Sequence, residues 1–352
     1  MGLFKRKELL GLDLGSNSIK LVQLNSGKQG WQLAKLGIAY LPPEAIVDGS
    51  IIDSMTVADT IRGLVKEHGG TVKSVASALT GHSVIIKKVS LPVMSEEDLA
   101  ESIQWEAEQY IPFPVADVNI DFQILGVETE TSGQMDVMLV AVKKDVINDY
   151  VNVIKDAGLE PAVIDVDSFA LENMLEVNYS LEPNENVAIV NVGASITVLS
   201  ILVGGVTVFT RAIPMGGNQF AEEIQKELNI SFKDAESVKL GQAVEGVDVA
   251  LVEPMMARLA DKLAVEIKRS IEFFLGGSAG VYVNRIFLSG GASRSKGLRS
   301  TIEERSTIPV EMINPFQNIT CNEKNFDPDY LSEMAPSFAV GLGLAMRQVG
   351  DR

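Results

Sequence analysis

The chain has 352 residues, about two domains by the usual length prior, and 46% of them are apolar, enough to bury large cores. Charged residues make up 22%, which argues for a globular rather than disordered chain. The net charge of −17 argues against nucleic-acid binding through a broad basic face, because such binding draws on Lys and Arg.

One cysteine, Cys321, rules out an internal disulfide framework and suits a reducing compartment. With only His68 and His82 beside it, a zinc site is not expected. No apolar run approaches the roughly 20 residues that cross a bilayer. The start, MGLFKRK, is basic but lacks the apolar stretch of a signal peptide, and Arg6 stands where a myristoylation signal needs Ser or Thr. Lys5, Arg6 and Lys7 read as a solvated chain end. These features predict a soluble cytoplasmic protein without direct membrane insertion.

In chain order, residues 9–24 and 30–40 run apolar or alternate and are split by NSGKQG, a hairpin signal. Val57, Ile61, Leu64 and Val65 fall at helical spacing, predicting a helix over 55–68 that Gly69 and Gly70 end. Residues 74–79 read as a short buried strand. From Val89 to Val142 the chain carries 11 acids and no Lys or Arg. That stretch predicts strand 83–91, helix 95–110 opened by Ser95 with Asp98, strand 118–127 and strand 134–142. Pro112 and Pro114 close the helix, and the whole reads as a small inserted acidic subdomain. Helix, strand and helix then follow over 144–179, and near residue 187 a second strand-rich unit begins.

The second unit repeats the first. The stretch IVNVGASITVLSILVGG (189–205) aligns without gaps on GLDLGSNSIKLVQL (11–24), with Asn191 over Asp13, Gly193 over Gly15 and Ser195 over Asn17. Each copy is an apolar strand, a turn of small residues and another apolar strand. Such a turn exposes backbone N–H groups to an anion, and Gly lets the backbone approach phosphate closely. Ser16 and Asn17 add donors, Lys20 offsets phosphate charge, and Asp13 can hold Mg²⁺ through water. Two facing hairpins would clamp a polyphosphate between two domains.

Three further elements stand out. IFLSGGAS ends a strand at Gly290 and Gly291, followed by Ser293 and a helix start at SRSKGL. Glu236 and Lys239 lie one helical turn apart, either flanking a ribose or forming a solvated pair. Gly216 and Gly217 precede an amphipathic helix.

The order GLDLGSNSIK, DVDSFALEN, NVGAS, GGNQFAEEI, AESVK, LSGGAS and SFAVGLGLAM resembles the actin-like ATPase fold from Leu10 to about Met346. This is an α/β fold of two duplicated RNase H-like lobes. The strand-helix-strand-strand insert with IQWEAEQYIPFP resembles the SHS2-like insert of FtsA, and in detail the chain is similar to the PilM family of type IV pilus assembly. FtsA itself carries a C-terminal amphipathic membrane helix, whereas this sequence closes on AMRQVGDR. The implied domains are 1–80 with 143–185 and 336–352, the insert 81–142, and 186–335.

The resemblance implies ATP and Mg²⁺ between the lobes. Asp13, Gly15, Ser16, Asn17 and Lys20 would meet phosphates and magnesium, opposed by Asn191, Gly193, Ala194 and Ser195. Glu236 and Lys239 would sit near ribose, with Gly290, Gly291 and Ser293 near adenine and Gly216 and Gly217 at the second turn. Asp167 stands where hydrolysing relatives position water. The second hairpin usually has Asp where this chain has Asn191. At an effective dielectric near 20, a unit-charge pair about 4 Å apart is worth roughly 4 kcal/mol. Binding is therefore expected to survive and hydrolysis to be slow or absent.

The resemblance further implies a partner, the cytoplasmic N-terminal tail of the inner-membrane protein PilN, in a groove beside the insert near Tyr110, Pro112 and Phe113. The pilus motor ATPases would be further partners, and the protein would be peripheral at the inner membrane. Tails next to a membrane helix tend to be basic, which an acidic insert would steer. Rival readings are a sugar kinase or polyphosphate phosphatase of the same fold, or a filament former. No carboxylate facing a sugar pocket stands out for the first, and the insert speaks against the second.

Overall fold

The computed structural model describes residues 8–27, 30–127, 133–182, 184–278 and 280–351. Lys5, Arg6 and Lys7, and Glu128 and Glu130 of the acidic stretch, lie outside the described residues. The chain opens as an antiparallel meander of β1 (Leu10–Leu14), β2 (Ser18–Gly27) and β3 (Gly30–Tyr40). The two short strands β4 (Ile46–Val47) and β5 (Ser50–Ile51) lead into α1 (Ser54–Leu64). Asp53 caps this helix, accepting the Thr56 N–H at 3.0 Å. The last expected turn widens into a π-type turn over Val65–Gly69, where the His68 ring lies against Gly37 of β3. β6 (Ser74–Leu79) is buried at every position because it lies inside the sheet.

The acidic stretch forms β7 (Val84–Pro92), α2 (Glu96–Ala107), β8 (Val118–Val127) and β9 (Gln134–Lys143), the predicted strand-helix-strand-strand order. Ser95 caps α2, its hydroxyl accepting the Asp98 N–H at 3.1 Å. The helix ends before residue 110 because the Tyr110 and Ile111 N–H groups both turn back to the Ala107 carbonyl. Leu99, Ile103 and Ala107 bury against Val137, Leu139 and Ala141 in a core of the insert's own.

The chain then returns through α3 (Lys144–Asp156), β10 (Glu160–Val166) and α4 (Asp167–Asn178). The second lobe holds β11 (Val187–Val192), β12 (Thr197–Val203), β13 (Val206–Ile213), α5 (Gly217–Leu228), α6 (Phe232–Lys239) and α7 (Glu253–Gly276). It continues with β14 (Arg285–Ser289), α8 (Leu298–Ser306), β15 (Val310–Met312) and α9 (Pro328–Met334), before α10 (Ala339–Met346) crosses back to the first lobe. A 3-10 turn over Gly291–Arg294 takes up the start of the SRSKGL run, and α8 begins only at Leu298.

Two sheets organise the molecule. One has the order β10-β6-β1-β2-β3, with β1, β6 and β10 parallel. The other runs β15-β14-β11-β12-β13-β7-β9-β8. The insert thus extends the second lobe's sheet, joined through the pairing of Phe209 with Lys87. Each lobe has its own core, and a further cluster gathers α4 and α10 residues with Val187, Ile189 and Phe287 of the second lobe. All eight residues of α10 are buried. Its small residues matter there: a Cβ on Gly343 would lie 1.7 Å from the Ala170 carbonyl oxygen of α4.

Candidate functional site

The two predicted hairpins face one cleft. In the first, the Gly15 N–H donates to the Ser18 carbonyl at 3.2 Å; in the second, the Gly193 N–H donates to the Ile196 carbonyl at 2.9 Å. The duplication therefore extends to the hydrogen bond that closes each turn. Asp13, Gly15, Ser16, Asn17 and Lys20 line the cleft from one side, and Asn191, Gly193, Ala194 and Ser195 from the other. Glu236, Lys239, Gly290 and Gly291 also line it, as does Asp167. The cavity between them holds about 160 Å³.

The copies differ in charge. Asp13 faces Lys20 across β1 and β2, Nζ to Oδ2 3.2 Å. The matching pair in the second copy is Asn191 and Val198, which are neutral. Asp167, at the start of α4, is 7% exposed. Its Oδ2 accepts the Thr80 hydroxyl at 2.7 Å, and Asn191 also hydrogen-bonds to it. Burial pushes its carboxyl up to about 6, aided by the Asp13 charge and opposed by the Thr80 and Asn191 hydrogen bonds. Lys239 is 4% exposed and pairs with Glu236.

Three predicted residues stand behind the walls. Gly216 supports the second turn, since a Cβ there would lie 2.5 Å from the Ala194 carbonyl oxygen. The Gly217 and Asn218 N–H groups at the start of α5 donate to the Gly193 and Ala194 carbonyls. The Ser293 hydroxyl donates to the Gly290 carbonyl at 2.6 Å and is buried. Gly290 itself has φ of 90° and sits against the Val192 carbonyl, so a side chain would be both strained and blocked.

The structure adds Thr80 and Arg294, which the motif reading missed. Thr80 follows the last residue of β6, and polar residues just past the ends of parallel strands are a signal for ligand crevices. Arg294 follows the GGAS turn, and its guanidinium pairs with Glu333 and reaches the Met334 sulfur.

A second concavity, about 1170 Å³, runs between the insert and the first lobe. Its walls are consecutive residues of β8 (118–123), one face of α2, consecutive residues of β10 (163–166) and one face of α4. β8 and β10 are each the outermost strand of their sheet, so two open sheet edges face the groove. Tyr110, Pro112 and Phe113 are not among its described lining residues. Tyr110 and Phe113 instead pack on the insert's core, with Lys87 Nζ 5.2 Å from the Tyr110 ring centre and Lys143 Nζ 4.4 Å from that of Phe113. No helix among the described residues is long and apolar enough to cross a membrane.

Two lobes with duplicated hairpins around a cleft, and a strand-helix-strand-strand insert, define an actin-like ATPase fold of the FtsA type. MreB5 of Spiroplasma citri bound to ADP shares the fold, with a TM-score of 0.52 at 15% identity over 96% of this chain and 94% of that one. The chain belongs to the family described as type IV pilus assembly protein PilM, which matches residues 11–349. The solved PilM-PilN type IV pilus biogenesis complex is similar, with 31% identity and a TM-score of 0.86 over 98% of this chain and 100% of that one. Cell division protein FtsA of Bacillus subtilis is 22% identical over 266 residues, 66% of this chain. The chain spans 58% of the length of that relative and 65% of the length of cell division protein FtsA of Streptococcus pneumoniae, to which it is also 22% identical.

Proposed function

We propose that this chain is an ATP-binding scaffold of the type IV pilus machine that holds the cytoplasmic N-terminal tail of PilN, with slow or absent hydrolysis. The observation that carries the nucleotide reading is the convergence of both closed turns on one cleft. At about 160 Å³ the cleft is smaller than the roughly 300–1,000 Å³ of usual ligand pockets, and parting of the lobes would make room for a triphosphate. Asp13 and Asp167 face the same cleft, a donor set suited to Mg²⁺, which would neutralise phosphate charge when bound. Asn191 contributes no charge toward a metal. Its side chain hydrogen-bonds to Asp167 instead, and the missing charge toward a metal is what favours retention of the nucleotide over its turnover.

The partner reading rests on the groove together with the similarity to the PilM-PilN complex. Residues 81–142 serve as the partner-binding subdomain, beside a first lobe formed by 1–80, 143–185 and 336–352 and a second formed by 186–335. Two open sheet edges suit an extended peptide, whose main chain pairs with an edge strand while its side chains fill the walls. Binding of this tail would hold the protein at the inner membrane from the cytoplasmic side. The same reading extends to the pilus motor ATPases, testable by co-purification.

Calorimetry of the full chain with Mg–ATP and with a synthetic PilN tail peptide tests both halves. We expect both to bind, and Asp13→Ala to weaken Mg–ATP retention at least tenfold, since one charge pair about 4 Å apart is worth up to roughly 4 kcal/mol at an effective dielectric near 20 and a contact through water keeps part of it. Unchanged Mg–ATP affinity in Asp13→Ala would remove the nucleotide assignment, and a silent titration with the tail would remove the partner.

A further inference from the structure

We propose that Glu172 is the group in the groove that receives a basic side chain of the bound tail and so sets its specificity; this rests on the reading of the groove as the tail site. The groove is acidic: Glu108, Asp121, Asp165, Glu172, Glu176 and Asp351 line it, against Lys144 and Arg347. Most of these charges are already engaged or exposed. Arg347 Nε donates to Asp165 Oδ2 at 2.6 Å, and the pair's side chains are 13% and 7% exposed. Lys144 Nζ donates to the Ala116 carbonyl at 2.7 Å. Glu108, Asp121, Glu176 and Asp351 stand in solvent.

Glu172 differs from all of these. It projects from the face of α4 that also carries Phe169, Asn173 and Glu176, the spacing of one helical stripe turned to the groove. It is half-buried, and among the described residues it has no ion-pair partner within 4 Å. Its Oε2 accepts the Thr207 N–H at 2.9 Å. A carboxylate has about four acceptor sites, so capacity for a cation remains. Burial raises its pKa, while the contact with Thr207 and the nearby Arg347 charge lower it and the Glu176 charge raises it. A withdrawn carboxylate without a direct ion pair, its nearest cation Arg347 being bound to Asp165, gains most from a cation delivered by a ligand that also excludes water.

A role confined to the protein is the competing explanation, because Glu172 ties α4 to the first residues of β13. Glu172→Gln separates the two, since the amide oxygen still accepts the Thr207 N–H while the charge is gone. The full chain would be titrated with the PilN tail peptide and with peptides in which each Lys or Arg is replaced singly by norleucine or citrulline. Trp105, 75% exposed on α2 and lining the groove, supplies a fluorescence signal.

We expect one replacement to weaken binding to the wild type about tenfold and to weaken binding to Glu172→Gln less than twofold. Because protonation removes the receiving charge, the wild-type discrimination between that peptide pair should also fade as pH drops through the Glu172 pKa. This arm needs no substitution in the protein and keeps the test open should Glu172→Gln fail to fold. Equal penalties in both proteins, or pH-independent discrimination, would overturn this inference and leave the partner reading standing. Failure of the wild type to bind the tail at all would overturn both.

Discussion

Asp167 shows how one residue reports on the cleft. Its neighbours explain both its position and its charge: Thr80 and Asn191 hold the carboxylate, while burial and Asp13 penalise its ionisation. Its folded pKa of about 6 stands above the ordinary 3.8. The neutral acid is therefore the better-tolerated form. Its contribution to stability is full below about pH 4 and is lost as pH rises through about 6. In the nucleotide-free chain, Asp167→Asn removes that dependence. The variant should gain on the wild type by at most about 3 kcal/mol between pH 4 and pH 7, at about 1.36 kcal/mol per unit. Urea denaturation across that range checks it, and a constant difference would refute the burial argument.

At the scale of elements, α10 and α4 join the lobes, and their closeness depends on residues without bulk. The AVGLGLAM run is apolar all round because α10 is enclosed on every side. Gly343→Ala places a methyl 1.7 Å from a main-chain oxygen that has no rotamer to change. We expect a loss at or beyond the upper end of the roughly 1–3 kcal/mol typical of overpacking. Gly63 in α1 makes the contrast. Nothing lies within 4 Å of a Cβ there, and the site is exposed. Gly63→Ala should stabilise the fold by about 0.8–1 kcal/mol through helix propensity alone. Thermal melts of the two variants should therefore shift in opposite directions.

Across the whole molecule, the acids divide into two sets. Glu96, Glu97, Asp98 and Glu101 lie on the exposed first turns of α2 and outside the described groove lining. Their influence on a basic tail is long-range and screened over about 10 Å at 0.1 M salt. Reversing all four to Lys should slow association of the PilN tail several-fold at low salt and change dissociation little. Stopped-flow rates at two salt concentrations separate the terms, and equal association rates at low salt would dispose of steering. Charges inside the groove act on dissociation instead, because they are desolvated when the tail is bound.

Much of this architecture is written in local pattern. The two hairpins and the strand-helix-strand-strand order each follow from periodicities and turn residues within a few positions. An ungapped repeat carries that information without reference to the fold. What surrounds those segments is a different matter. Thr80 reaches Asp167 across 87 positions of sequence. The insert's sheet joins β13 through Phe209 and Lys87, and the groove exists only because β8 and β10 are left as outer strands. Tyr110 and Phe113, both half-buried, pack against the insert's core, where covering apolar surface is favourable. Sequence alone therefore determined the turns and the order of elements, since these depend on neighbours along the chain. Tertiary structure decided which edges stay open and which charges stay unpaired, since these depend on partners that only packing brings together.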